Sequence, residues 1–303
     1  MKLMALIVVV LLERFWPALS RWRADRAAER LIHRARTRLA DGVGHPVATG
    51  ILWLGLPIVL YGVLTLVDHG VMGALAYIGI SIGVLLLMLA PRQAHQHVDD
   101  LHRACEHGDE AAVHSALAQL AEGTELESEP IVEAWSTQTL AERIITLGFH
   151  EWFTVLFWFV LAGPVGALFY RLTDWFARLP HEPTEPNSLG CMRLAQLQAW
   201  LDWPAARIYA VLLLLAGGFN RGLEAWLQGG DAVQGTVAQH NSALIGRVGH
   251  AALELEREDD CDSATLCLAD QSRWIKGATA IVLRSLLLGL GLVALFTLSS
   301  WIR

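Results

Sequence analysis

Long apolar runs alternate with polar segments along this chain. Three of the runs, residues 48–67, 70–90 and 152–170, contain no charged residue, and a fourth, 277–301, is interrupted only by Arg284. A helix that spans a bilayer needs about 20 predominantly apolar residues. Each of these four runs therefore predicts a membrane helix.

Two weaker runs add to this pattern. Residues 1–12 are apolar like the core of a signal peptide, but Glu13 and Arg14 follow where a cleavage site would need small residues. We therefore predict an uncleaved membrane helix near 1–18. Residues 208–219 need flanking residues to form a full span, and without them they predict a partial or tilted helix. The predicted fold is all-α, a polytopic integral membrane protein with four to six membrane helices.

The segments between the runs are also predicted to be helical, and charge sets their orientation. Residues 13–46 carry eight arginines, which predicts that this stretch is cytoplasmic. It forms either an amphipathic helix on the anionic leaflet or a solvated charged helix. We predict a single membrane domain, 1–303, with spans near 1–18, 48–67, 70–90, 152–170, 208–219 and 277–301. The predicted cytoplasmic segments are 19–46, 91–148 and 220–276.

Composition excludes several classes of function. Charged residues make up 17% of the chain and apolar residues 54%, whereas globular proteins carry about 25% charged residues. The formal net charge of −7 argues against nucleic acid as a partner. The four cysteines have no zinc or redox spacing, which predicts reduced structural thiols. The sequence contains no Walker A, GxSxG, HExxH or CxxC motif, so no catalytic residue is predicted.

Two polar features remain, and each allows two interpretations. One face of a predicted helix carries His95, Asp99, His102 and Glu106. Such a face can hold a divalent metal, but it is more often simply turned to water, and we predict neither a metal nor a cofactor. Arg284 lies within an apolar run. It either faces a partner or polar cavity, or it extends to the cytoplasmic interface.

Three stretches, in order, resemble a known family. They are residues 97–113, 156–171 and 201–208, which read HVDDLHRACEHGDEAAV, LFWFVLAGPVGALFYR and LDWPAARI. They resemble the AmpE family, inner-membrane proteins named as regulatory signalling modulators of β-lactamase expression. More distantly, the chain is similar to the CobD/CbiB proteins of cobalamin synthesis. The resemblance implies a multi-pass protein of the bacterial inner membrane, the lipid bilayer being its first partner.

The cobalamin-synthesis relatives also show what this chain lacks. Their acidic Glu-Asn…Asp-Gly stretch is replaced by ITLGFHEWFTV, and their Asn-Thr-Leu-Asp after Tyr-Arg is replaced by residues 172–175. Activating a carboxylate or clamping a phosphate normally requires such acidic groups. His150 and Glu151 remain in this region, and we interpret them as a helix cap or an interfacial anchor. The resemblance therefore implies a non-enzymatic protein.

The predicted function is an inner-membrane sensor and signalling modulator, linked to cell-wall stress and β-lactamase regulation. Its partner would be a protein or a cell-wall-derived small molecule. The alternatives are an amide-forming synthase of the CobD/CbiB type and a small-molecule transporter, the latter supported by Arg284 and the short 208–219 run. His97 and Asp109 form either a polar site or, with Gly108, a helix break and an N-cap. The candidate ligand-recognition residues are His97, Asp109, Arg171, Asp202, Arg207 and Arg284.

Overall fold

A computed structural model describes residues 46–67, 70–89, 93–121, 137–177, 188–229, 235–253 and 268–301 of the chain. Helices make up nearly all of this part, and it contains no strand. The α-helices are α1 (Pro46–Val67), α2 (Gly70–Met88), α3 (Gln93–His107), α4 (Glu110–Ala121), α5 (Thr137–Gly148), α6 (Thr154–Ala177), α7 (Ser188–Ala216), α8 (Phe219–Gln228), α9 (Val237–Ala252) and α10 (Leu268–Trp301). A π-helical turn, Phe149–Phe153, joins α5 to α6.

The apolar helices confirm an all-α membrane protein. Three helices are long and apolar enough to cross a bilayer, namely Gln138–Ala177, Met192–Ala216 and Gln271–Thr297. Two shorter apolar helices, Trp53–Leu66 and Met72–Met88, bring the number in the described part to five. This agrees with the four to six membrane helices expected from the sequence. The predicted span 1–18 and most of the segment 19–46 lie outside the described residues.

The helix around 208–219 differs from the expectation of a short, partial span. It belongs to α7, which begins at Ser188, and the apolar stretch of that helix runs from Met192 to Ala216. The charged residues Asp202 and Arg207 interrupt the hydrophobic pattern but not the helix. A continuous helix removes the argument for transport that rested on a short, broken span.

The chain divides into two compact units. The first contains Met1–Ala90, Thr154–Asp202 and Val293–Arg303, and the second contains Pro91–Phe153 and Trp203–Leu292. This division does not test the single membrane domain expected from the sequence, which stays a prediction.

In the first unit, α1 and α2 both pack against α6. The Trp53 ring of α1 lies 5.4 Å from the Phe169 ring, and Trp53 Nε1 donates to Thr173 Oγ1 at 2.9 Å. Helix α6 is broken at Gly163, where φ is 75° and ψ is −162°, directly before Pro164. Proline disfavours the α conformation in the residue before it, and only glycine adopts this positive φ without strain.

In the second unit, α9 packs against α5 and α8, while α3 and α4 form a helical hairpin. Gly108 ends α3 with a φ of 71°, the left-handed conformation that commonly closes a helix. An aromatic group stabilises the turn after α5, where the Tyr209 ring lies 5.5 Å from Phe149 and 4.8 Å from Phe153. All three rings are buried, so the π-helical turn lies in the core of this unit.

The break in α6 generates a stability prediction. Gly163→Ala should lower the free energy of unfolding by about 1–3 kcal/mol, because alanine is strained at this backbone conformation. Gly79→Ala is the matched control, since Gly79 is exposed on α2 and a Cβ there meets nothing within 4 Å. Thermal unfolding of the detergent-purified proteins checks this. Equal melting temperatures for the two variants would contradict it.

Candidate functional site: a buried polar cluster

Ionisable side chains are buried among the apolar helices of the first unit. Arg171 is 2% exposed, Asp174 0% and Asp202 5%. Charged residues inside membrane helices cost free energy and are usually functional, so this region is a candidate site. We call the following group the buried polar cluster: Tyr170, Arg171, Asp174, Gln198 and Asp202.

Arg171 links α6 to the end of α2. Its Nη1 lies 3.5 Å from Asp174 Oδ2, one helical turn further along, and its Nε donates to the backbone carbonyl of Met88 at 3.0 Å. The last carbonyls of a helix have no partner within the helix, so the guanidinium serves as their donor here. The carboxylate of Asp174 neutralises the guanidinium, and a buried arginine needs such a counter-charge.

Tyr170 and Asp202 link α6 to α7. The Tyr170 hydroxyl donates to Asp202 Oδ1 at 2.8 Å. Gln198 lies one turn before Asp202, and its Nε2 reaches the two carboxylate oxygens at 3.4 and 3.5 Å. These donors replace part of the hydration that the carboxylate loses on burial. Two candidate residues predicted from the sequence, Arg171 and Asp202, thus belong to neighbouring parts of one cluster.

A second polar group occupies the π-helical turn of the second unit. Glu151 is 4% exposed, and the turn continues directly from α5 into α6. The interpretation of His150 and Glu151 as a helix cap is therefore wrong, because they lie inside a continuous helical run. Their interpretation as an interfacial anchor stays a prediction. An inserted residue widens the helix here, and π-helical turns of this kind are frequent at functional sites.

The structure does not join His97 and Asp109 into one site. Asp109 Oδ1 accepts a hydrogen bond from the Ala112 amide at 3.1 Å, so Asp109 caps α4 while Gly108 ends α3. His97 is half-buried on α3, and its Nδ1 has no hydrogen-bond partner within the described part of the chain. The helix break and N-cap are observed, whereas a recognition role for either residue stays a prediction.

The histidine face of α3 contacts the beginning of α10. His102 Nδ1 hydrogen-bonds with Ser272 Oγ at 3.3 Å, and Lys276 Nζ donates to Glu106 Oε1 at 2.9 Å. The hydrogen bond and charge of Lys276 hold the pKa of Glu106 below its usual range. The His95 side chain lies outside the described residues. Within those that are described, no three His, Cys, Asp or Glu side chains are grouped to hold a metal ion.

The last two candidates lie in the second unit. The Arg207 guanidinium lies 4.0 Å from the centre of the Trp203 ring and donates to Asn241 Oδ1 at 3.2 Å. Arg207 thus stabilises its own unit. Arg284 is exposed on α10 beside exposed leucines such as Leu283 and Leu287. Both interpretations of Arg284 stay open.

Three members of the cluster were not singled out from the sequence: Tyr170, Asp174 and Gln198. Tyr170 and Asp174 carry a usable signal, because they lie next to Arg171 and one turn after it, at the end of an apolar run. An arginine at that position needs a counter-charge within reach, which points to Asp174. Gln198 carries no such signal, since its role depends on the packing of α7.

The comparison with protein families gives a match over nearly the whole chain. The family described as "Regulatory signalling modulator protein AmpE" matches residues 1–290. The chain belongs to the AmpE family. This AmpE-family chain is therefore a membrane protein of a regulatory signalling family, which confirms the resemblance found in the sequence.

A curated relative gives a more distant similarity. The chain is 24% identical over 147 residues to "Cobalamin biosynthesis protein CobD" of Chromobacterium violaceum. That alignment covers 48% of the AmpE-family chain and 46% of the relative, so the chain matches about half of the relative's length. No solved structure matches.

The Arg171–Asp174 pair generates a second prediction. Arg171→Met alone should lower the free energy of unfolding by about 3–5 kcal/mol, because it leaves a buried carboxylate without its counter-charge. The double variant Arg171→Met/Asp174→Leu should recover most of this loss. Denaturant unfolding of the purified variants measures both changes.

The control for this comparison of single and double variants is Arg193→Gln, since Arg193 is exposed on α7. It should change the free energy of unfolding by less than about 0.5 kcal/mol. If the double variant is as unstable as the sum of the two single variants, Arg171 and Asp174 do not stabilise each other.

Proposed function

We propose that this AmpE-family chain is an inner-membrane sensor that modulates β-lactamase expression under cell-wall stress, without itself catalysing a reaction. Support comes from the family match over residues 1–290 and from the buried polar cluster. The cluster carries the proposal, because it couples the positions of several apolar helices to a few polar contacts.

A sensor needs two arrangements that a ligand or partner distinguishes by binding one more tightly. The cluster offers a suitable element. Tyr170 and Arg171 are adjacent on α6, yet one contacts Asp202 on α7 and the other contacts the carbonyl of Met88 on α2. Moving any one of these helices breaks a buried polar contact, which favours two discrete arrangements over gradual deformation. The break at Gly163 supplies a hinge within α6.

The non-enzymatic assignment is supported by the roles of the carboxylates. A synthase that joins an amine to a carboxylate needs groups to bind and activate its substrates. In the buried polar cluster, Asp174 neutralises Arg171, and Asp202 accepts from Tyr170 and Gln198. The acidic stretch of the cobalamin-synthesis relatives is also replaced in this chain.

Gene replacement in the bacterium that carries this chain tests the proposal. Deletion should alter the induction of β-lactamase by a sublethal β-lactam, and the wild-type gene should restore it. Tyr170→Phe removes one buried hydrogen bond to a charged group, worth about 1.5–3 kcal/mol, and should shift the induction threshold at normal membrane levels. Arg193→Gln is the matched control and should behave as wild type. Unchanged induction in the deletion strain would contradict the signalling role.

The synthase is the second candidate, favoured by the similarity to a cobalamin biosynthesis protein. Expression in a strain that lacks its own cobalamin synthase separates the two functions. We expect no corrinoid-dependent growth. Growth that depends on Glu151 would establish an enzyme and overturn the non-enzymatic part of the proposal.

A further inference from the structure

An open cleft of about 320 Å³ lies within the second unit. Helices α5, α8 and α9 line it. Its polar wall is formed by Gln138, Gln228, Arg247 and His250, with Gly229 at the end of α8. A guanidinium, an imidazole and two carboxamides thus line one concave surface, and small-molecule sites contain a few polar groups of this kind.

Arg247 uses only part of its hydrogen-bond donors within the described residues. Its Nε donates to the carbonyl of Ala243 at 3.1 Å, and its Nη2 donates to the carbonyl of Gly229 at 3.3 Å. A guanidinium carries five N–H groups in a fixed fork, so three of them have no partner among the described residues. The two backbone contacts hold the guanidinium in place, which lowers the entropic cost of binding a ligand there.

Gly229 makes this position of Arg247 possible. A Cβ at residue 229 would clash with three guanidinium atoms of Arg247. The backbone of Gly229 has φ −85° and ψ −1°, which alanine also adopts. Glycine is needed here for space and not for its backbone conformation. An added methyl group would therefore move the guanidinium and leave the local fold intact.

The remaining groups limit the charge of a ligand. Gln138 Nε2 donates to Glu142 and Gln228 Nε2 donates to Glu224, each at 2.9 Å, which leaves the two amide oxygens as acceptors. Burial lowers the pKa of His250, although Glu142 opposes this, so the imidazole is neutral at pH 7. One fixed positive charge stands against two nearby carboxylates. The two carboxylates repel a doubly charged phosphate more strongly than a singly charged anion, and the attraction for an anion comes from direct contact with the Arg247 guanidinium.

We propose that this cleft binds a water-soluble monocarboxylate that also carries amide or hydroxyl groups. The carboxylate pairs with the fork of Arg247, an arrangement that gives strong and directional hydrogen bonds. The amide or hydroxyl donors bind the oxygens of Gln138 and Gln228. The site does not depend on the proposed signalling function, because binding can be measured on the purified chain alone.

Titration calorimetry of the full chain in phosphatidylcholine nanodiscs tests the proposal. N-acetylalanine is the probe, since it combines one carboxylate with one amide. Its uncharged amide, N-acetylalaninamide, is the matched ligand without the charge. We expect the acid to bind at least about tenfold more tightly than the amide. Equal affinities, or no binding of the acid up to about 10 mM, would overturn the proposal.

Three variants locate the binding. Arg247→Gln should weaken binding of N-acetylalanine by about tenfold or more. Gly229→Ala should also weaken it, because it displaces the guanidinium without changing any charge. Arg103→Gln is the control, since Arg103 is exposed on α3 and pairs with Asp100 at 3.0 Å. It should bind as wild type. Wild-type affinity in both cleft variants, with melting temperatures unchanged, would refute the site.

Lipid headgroups are the other source of a single negative charge. Repeating the titration in nanodiscs that contain phosphatidylglycerol separates the two sources. A soluble ligand predicts an unchanged affinity for N-acetylalanine. Competition by phosphatidylglycerol, relieved in Arg247→Gln, would assign the cleft to a lipid headgroup and overturn the proposal of a soluble ligand.

Discussion

The structure of the first unit depends on one constraint. A guanidinium buried among apolar helices needs hydrogen-bond acceptors from the protein for its N–H groups. Arg171 is 2% exposed, so water cannot satisfy it. It contacts Asp174 on its own helix and the carbonyl of Met88 at the end of α2. The first contact neutralises the charge, and the second fixes where α2 ends beside α6.

The neighbouring residue extends this constraint to a third helix. Tyr170 donates to Asp202, so α7 is held to α6 by a hydrogen bond to a charged group. Apolar surfaces alone would allow these helices to slide, because dispersion contacts have little directional preference. Polar contacts at adjacent positions of α6 select one register for α2 and α7 together. A protein that must adopt discrete states gains from such selection.

Local signals in the sequence predicted the fold well, whereas pairings across helices could not be predicted. The apolar runs 48–67 and 70–90 correspond closely to α1 and α2, since uniform apolarity defines the length of a helix. The cap at Asp109 is equally local. Asp202, in contrast, made the run at 208–219 appear short. Only the packing of α7 shows that Tyr170, distant in sequence, stabilises its carboxylate inside the helix.

Arg171 and Arg247 differ in exposure and in how their N–H groups are used. This difference distinguishes a structural role from the proposed binding role. Arg171 is buried, so each of its donors can serve only protein groups. Arg247 is partly exposed at a cleft, and two backbone carbonyls are its hydrogen-bond partners within the described part of the chain. A buried arginine joins helices through hydrogen bonds to protein groups. A partly exposed arginine that backbone contacts hold in place is able to bind a carboxylate. The same residue type thus holds helices together where the protein occupies its donors, and it suits the proposed ligand site where donors remain.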